Sequence, residues 1–206
     1  DAQESRGLGD VYKRQVLPYV GGALHLSIAA GIGLGTLARW LGTERVVRAM
    51  PNTPALVGQG MTGLYTPAAT PDADRELAES ALRSTGQLLW VDDEALIDSV
   101  TAVSGSGPAY VFFFIEALEQ AGVEMGLTAE QAHQLAVGTF TGASALAAAS
   151  NDTPAVLRQR VTSKGGTTFA AISSMEADRV KDSIVRALHA ARLRAQELEQ
   201  EFGRAD

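Results

Sequence analysis

The apolar spacing of this chain changes character once, at Asp92, and that change limits the folds open to it. From residue 24 to residue 91, short apolar runs alternate with helically spaced segments. After Asp92 only helical spacing remains. Alternating strands and helices build an α/β layer, whereas successive amphipathic helices bury their apolar faces on one another. The expected architecture is a partial α/β layer followed by an all-α C-terminal domain.

Residues 24–30 are apolar around Ser27 and end at Gly31, which reads as a buried strand. Residues 34–41 have helical spacing and stop at Gly42. Residues 45–50 read as a second strand closed by Pro51, and residues 61–65 and 87–91 as two more. Between these, residues 72–84 form an amphipathic helix with Asp72 or Asp74 near its start. Beyond Asp92 come a short helix over 93–100 and a long apolar one over 108–120, with Pro108 in its first turn and Gly122 past its end. Thr128 and Gln131 form a capping box for a helix reaching residue 149. Asp152 or Thr153 caps the next, with Pro154 in its first turn. A Gly-rich loop over 163–166 leads into a helix near residue 167, and a last helix runs over 177–199. Residues 1–15 are polar and without period, a junction-like or disordered segment outside the fold.

Composition excludes several kinds of chemistry. The chain has 206 residues, 46% of them hydrophobic, which suffices for a substantial core. Its net charge is -7, with no basic stripe, so nucleic acid is not expected as a partner. With no cysteine, disulfides, thiolate nucleophiles and Cys-based metal sites are ruled out. His25, His133 and His189 lie far apart and form no ligand-spaced pair, so no metal is expected. The longest aromatic-aliphatic run, over 111–115, is followed at once by Glu116, far short of the roughly 20 apolar residues of a membrane span. No signal peptide is read at the start, and a cytoplasmic setting is expected.

Three segments could carry chemistry. In Val161-Thr162-Ser163-Lys164-Gly165-Gly166-Thr167-Thr168, two glycines bend the chain and a helix opens at the threonines. Free N–H groups and the helix dipole favour an anion there, and a carboxylate fits such a nest. A plain helix–loop–helix turn with Thr caps would read the same way. In Ser104-Gly105-Ser106-Gly107-Pro108-Ala109-Tyr110, small residues allow close approach of a ligand or of packed backbone. In Met50-Pro51-Asn52-Thr53-Pro54, two prolines fix an extended turn, displaying Asn52 and Thr53 where ligands sit in open α/β sheets, or forming a rigid connector. Gly31-Ile32-Gly33-Leu34-Gly35 follows a strand and opens a helix, but its spacing is G-x-G-x-G and not G-x-G-x-x-G.

Taken in order, Ser27-Ile28-Ala29-Ala30-Gly31, the Met50 to Pro54 turn, Asp98-Ser99-Val100-Thr101-Ala102-Val103 leading into Ser104 to Tyr110, and the Val161 to Thr168 loop resemble the pyrroline-5-carboxylate reductase family. The resemblance runs from about residue 24 to the C-terminus. It implies that residues 16–92 are the remainder of an NAD(P)-binding Rossmann domain and that 93–206 form a helical dimerisation and substrate domain. The family's opening strand and phosphate-binding glycine loop have no counterpart here, so a truncated form is expected. Lys164 stands where the family often has proline.

What the resemblance implies is reduction of 1-pyrroline-5-carboxylate to L-proline with NADPH or NADH, the last step of proline biosynthesis. The amides of Gly166, Thr167 and Thr168 would hold the substrate carboxylate, and the Thr168 hydroxyl would bond the ring nitrogen as the catalytic contact. Val161, Thr162, Ser163 and Gly165 would line the same pocket. Ala30, Gly31, Asn52, Thr53 and Pro54 would lie by the cofactor. A homodimer or higher homo-oligomer through the C-terminal helices is implied, with Gly138, Gly142 and the alanines of 143–149 allowing close helix approach. Two other readings stand beside it: a hydroxy-acid dehydrogenase with Lys164 as base, and a non-catalytic dimerisation fragment.

Overall fold

The computed structural model describes residues 21–203. The segment over 1–15 therefore lies outside the described residues. Cα packing divides the described residues into two compact units, one of residues 21–108 with 187–203, the other of 109–186.

In the first unit, β1 (His25–Ser27), β2 (Val46–Met50), β3 (Gly60–Tyr65) and β4 (Gly86–Trp90) form one sheet in the order β1-β2-β3-β4. β1 pairs parallel with β2, β2 antiparallel with β3, and β3 parallel with β4. The two parallel pairs are crossovers through α1 (Leu34–Leu41) and α2 (Asp72–Leu82). Strand period sorts β2 between the faces. Val47 and Ala49 pack with Leu64, Ala78 and Leu82, while Val46 packs with Leu34, Leu37 and Leu41. The spacings i, i+3, i+7 on α1 and i, i+4 on α2 supply the matching helical stripes.

The α1 bounds are those expected, with Gly42 left-handed at the C-cap, φ 65°. The first strand is only three residues of the seven expected, and Ala30 falls beyond it. The helix expected over 93–100 shortens to α3 (Leu96–Val100), because Asp93 and Glu94 form turns onto Leu96 and Ile97. α3 continues directly into a π-helical turn, Thr101–Gly105.

One buried cation organises this unit. Arg48, 3% exposed, lies on β2 with Nη1 2.5 Å from Glu94 Oε1 and 3.2 Å from Glu199 Oε1. The same Glu94 oxygen accepts the Leu34 N–H at 2.6 Å and so caps α1, whose N-cap glycine has no side chain to do it. Burial pushes the carboxyls of Asp98 and Glu199 above the ordinary range, against the pull of Arg48.

The second unit is helical. It takes most of α4 (Gly107–Glu124), then α5 (Ala129–Ala149), α6 (Pro154–Arg160), α7 (Thr167–Ala177) and the start of α8 (Val180–Gly203). The capping box of Thr128 and Gln131 is formed as expected, and Thr153 is the cap of α6. Gly122 does not end α4. It is buried inside the helix, where a Cβ would come 2.9 Å from that of Ala132 on α5, and α4 runs on to Glu124. Among the described residues no strand follows Trp90, and no helix is long and apolar enough to cross a membrane.

Replacing Arg48 with alanine should remove about 1–3 kcal/mol of stability at pH 7, because the half-buried carboxylates of Glu94 and Glu199 lose their charged partner. The loss should shrink as pH falls and the carboxyls take up protons. Carboxyls with raised folded pKa values take up protons before their unfolded counterparts, so their penalty grows as pH rises through the folded value. Urea denaturation at several pH values checks both parts.

Candidate active site

In the first unit, parallel pairing brings two expected cofactor segments to one sheet edge. The β1–β2 register sets Ser27 beside Arg48, so Ala30 and Gly31 emerge at the same carboxyl edge as residues 51–54. This edge is where open α/β sheets bind ligands. Ala30 and Thr53 are exposed there, and Pro54 is half-buried in a 3-10 turn, Thr53–Val57.

Gly31 and Asn52 are placed differently. Gly31 is buried with φ 73°, and a Cβ on it would lie 3.0 Å from Leu198 Cβ and from the Phe202 ring. A Cβ on Gly33 would lie 2.6 Å from Glu199 Oε1. The helix opening after the G-x-G-x-G stretch is thus covered by α8, and its Leu34 N–H already holds a carboxylate. A phosphate there would meet the Glu94 carboxylate and the side chains of α8. The Asn52 side chain turns inward. Its Oδ1 accepts the Met61 N–H at 2.9 Å, and its Nδ2 lies 3.2 Å from both Ser104 O and Ser104 Oγ.

In the second unit, the loop between α6 and α7 leaves the first donors of α7 free. Gly165 is left-handed, φ 77°, and the Gly166 N–H donates to Ser163 O at 3.0 Å, closing a turn. Gly166 is the N-cap of α7 and offers no side-chain cap. The threonines therefore do not cap the helix. Thr167 and Thr168 occupy its first two positions, and their N–H groups and hydroxyls have no hydrogen-bond partner among the described residues. Thr168 is half-buried and Val161 is 65% exposed. The Thr162 hydroxyl donates to Arg158 O at 2.6 Å. Beside this loop an open cavity of about 590 Å³ is lined by residues including Arg158, Thr162, Lys164 and Phe169. Lys164 is exposed.

Sequence reasoning missed the parts played by Met61, Ser104 and Glu94. Each acts through a contact 9 to 60 residues distant along the chain, which local spacing does not register.

Residues 94–198 match the family model for pyrroline-5-carboxylate reductase dimerisation. The pyrroline-5-carboxylate reductase of Haemophilus influenzae is 40% identical over 184 residues, 87% of this chain and 67% of that protein. The chain belongs to the pyrroline-5-carboxylate reductase family. The Pseudomonas aeruginosa reductase is 50% identical over 181 residues, 87% of this chain and 66% of the relative. This chain spans about two thirds of the length of those two relatives. The crystal structure of the Plasmodium falciparum reductase, with NADP bound, matches 95% of this chain and 78% of its own, at 31% identity and a TM-score of 0.85. The Coxiella burnetii reductase matches at 38% identity and a TM-score of 0.81, covering 96% of this chain and 71% of its own. These solved structures and the sheet-then-helices order agree on the fold class expected from the sequence, a partial Rossmann layer followed by helices.

The left-handed turn at Gly165 gives this loop its shape. A Gly165→Ala substitution should cost about 1–2 kcal/mol, the penalty of a Cβ at positive φ. A shift of the denaturation midpoint without a change of slope checks it.

Proposed function

We propose that this chain carries the substrate-binding and dimerisation part of an enzyme that reduces 1-pyrroline-5-carboxylate to L-proline with NADPH or NADH. The observation that carries the reading is the open start of α7. Two successive N–H groups, those of Thr167 and Thr168, lie at a helix N-terminus with no acceptor, next to a half-buried hydroxyl. A substrate carboxylate supplies the missing acceptor and is favoured by the helix dipole. Gly165 and Gly166 shape the cradle, and Val161, Thr162 and Ser163 border it.

The bound dinucleotide supplies the hydride that reduces the imine carbon. The protonated imine is already electrophilic, so the protein's task is chiefly to hold the ring in place. The Thr168 hydroxyl would bond the ring nitrogen, orient it and relay its proton. Ala30, Thr53 and Pro54, at the carboxyl edge of the sheet, fit the nicotinamide end of the cofactor. The phosphate end fits no described loop, since α1 is already capped by Glu94 and covered by α8. A cytoplasmic location goes with this reading, in keeping with an acidic chain that has no cysteine.

A homodimer through the second unit belongs to the same proposal. Phe112, Phe113 and Leu135 are each more than half exposed, and Ile184 is 37% exposed. Phe114 and Phe140 pack partly on each other, ring centroids 6.4 Å apart. Gly138 and Gly142 have nothing within 4 Å of where a Cβ would stand, so the small-residue face of α5 is open. Such a face is wide for a chain that stays alone.

Two outcomes are expected. Light scattering at micromolar concentration should give at least a dimer, and a Phe113→Glu, Leu135→Glu variant should give a monomer. The 206-residue chain should reduce the imine poorly or not at all. A chimera carrying the upstream part of the Pseudomonas aeruginosa relative should be active and should lose roughly 10- to 1,000-fold in rate with either Thr168→Ala or Thr168→Val. A chimera that pairs but shows no NADPH-dependent turnover would leave only a dimerisation fragment.

A further inference from the structure

We propose that Asn52 is a positioning residue, an internal clamp that fixes residues 51–54 at the nicotinamide end of the site without touching the cofactor itself. The significance for catalysis rests on the proposed function; the clamp stands on geometry alone. The antiparallel register pairs Arg48 with Tyr65 and Met50 with Gly63, and its continuation sets Asn52 opposite Met61. Backbone pairing ends at Pro51, which has no N–H. From there the Asn52 side chain takes over. Its Oδ1 accepts the Met61 N–H at 2.9 Å, as a strand carbonyl would. Its Nδ2 reaches Ser104 O and Ser104 Oγ, each at 3.2 Å. Ser104 Oγ then donates to Met61 O at 3.4 Å.

These contacts close a ring through the end of β2, the start of β3 and the π-helical turn. Both ends of the Asn52 amide are engaged within the protein. The exposed edge is instead presented by Thr53 and by main chain. The ring is seated tightly, since a Cβ on Gly105 would come 2.7 Å from Met50 Cε. π-Helical turns are frequent at functional sites, where they re-aim the backbone. Here the turn supplies the Ser104 carbonyl and hydroxyl that Asn52 grips. Only an amide serves at this position. Aspartate would keep the acceptor for Met61 but set a carboxylate against the Ser104 carbonyl.

Amide hydrogen exchange of this chain reads the clamp directly. In Asn52→Ala and in Asn52→Asp, the Met61 amide should exchange about tenfold faster or more, the loss of one well-aligned hydrogen bond. Ser104→Ala keeps the bond from Nδ2 to the Ser104 carbonyl and should speed Met61 exchange by only about two- to fivefold. In the active chimera, Asn52→Ala should lower kcat about tenfold or more while KM for the imine stays within about twofold. Met61 exchange within about twofold of the unmutated rate in Asn52→Ala overturns the proposal, as does a silent Ser104→Ala. If Asn52→Ala does not fold, Asn52→Asp and Ser104→Ala test the same ring. Absence of turnover in the unmutated chimera would sink the proposed function and leave the exchange result to decide the clamp.

Discussion

The first unit depends on a guanidinium that has no water to turn to. Arginine does not give up its proton in a protein, so a buried one must be met by acids. Arg48 draws Glu94 from the segment before α3 and Glu199 from α8 onto the middle of the sheet. Glu94 then does a second thing with the same oxygen, satisfying the first N–H of α1. One buried charge therefore fixes the start of a helix, the approach of the C-terminal helix to the sheet edge and the entry to the π-helical turn. Burial disfavours the charged form of Asp98 and Glu199, so both hold their protons more tightly than ordinary carboxyls even though Arg48 pulls the other way.

That arrangement separates two helix starts that look alike on paper. Both α1 and α7 follow glycine-rich turns, and both have a glycine N-cap without a side-chain partner. At α1 the protein's own carboxylate fills the anion position, and Leu198 and Phe202 close over it. At α7 the first N–H groups remain open beside the Thr168 hydroxyl. The dipole is equally favourable at both ends, so occupancy and not helix geometry decides which can take a ligand. By the same rule the start of α7 is open to an anion, while at α1 an anion would meet the Glu94 carboxylate.

Much of this was legible in the sequence wherever a local rule sets the outcome. Gly42 stops α1 because a left-handed residue ends a helix cheaply only as glycine. Thr128 and Gln131 cap α5 through bonds within four residues. The end of β2 at Met50 follows from Pro51, and its start at Val46 lies one residue past the Arg45 expected. What was not legible depends on distant contacts. Gly122 has the look of a helix terminator, yet α4 continues because its bare backbone admits Ala132. Asn52 has the look of a displayed ligand contact, yet register sets it opposite Met61 and turns it in. The π-helical turn has no signature in residue type at all. It forms where Ser104 meets the Asn52 amide and Gly105 meets Met50.

Glycine makes the closing distinction in the second unit. Gly122, Gly138 and Gly142 all lie within helices, at positions where glycine costs about 1 kcal/mol against alanine. At Gly122 the cost is offset inside the chain by close contact with α5. At Gly138 and Gly142 nothing among the described residues stands within 4 Å of where a Cβ would lie. Helix interiors rich in alanine would be more stable with alanine there too. In the proposed homodimer, a partner helix close enough to need bare backbone would account for glycine at these positions, and the exposed Leu135 and Leu146 on the same helix would give it apolar surface to cover. A second copy of this chain brings the same small residues to the same face, which is the self-complementarity that a two-fold interface requires.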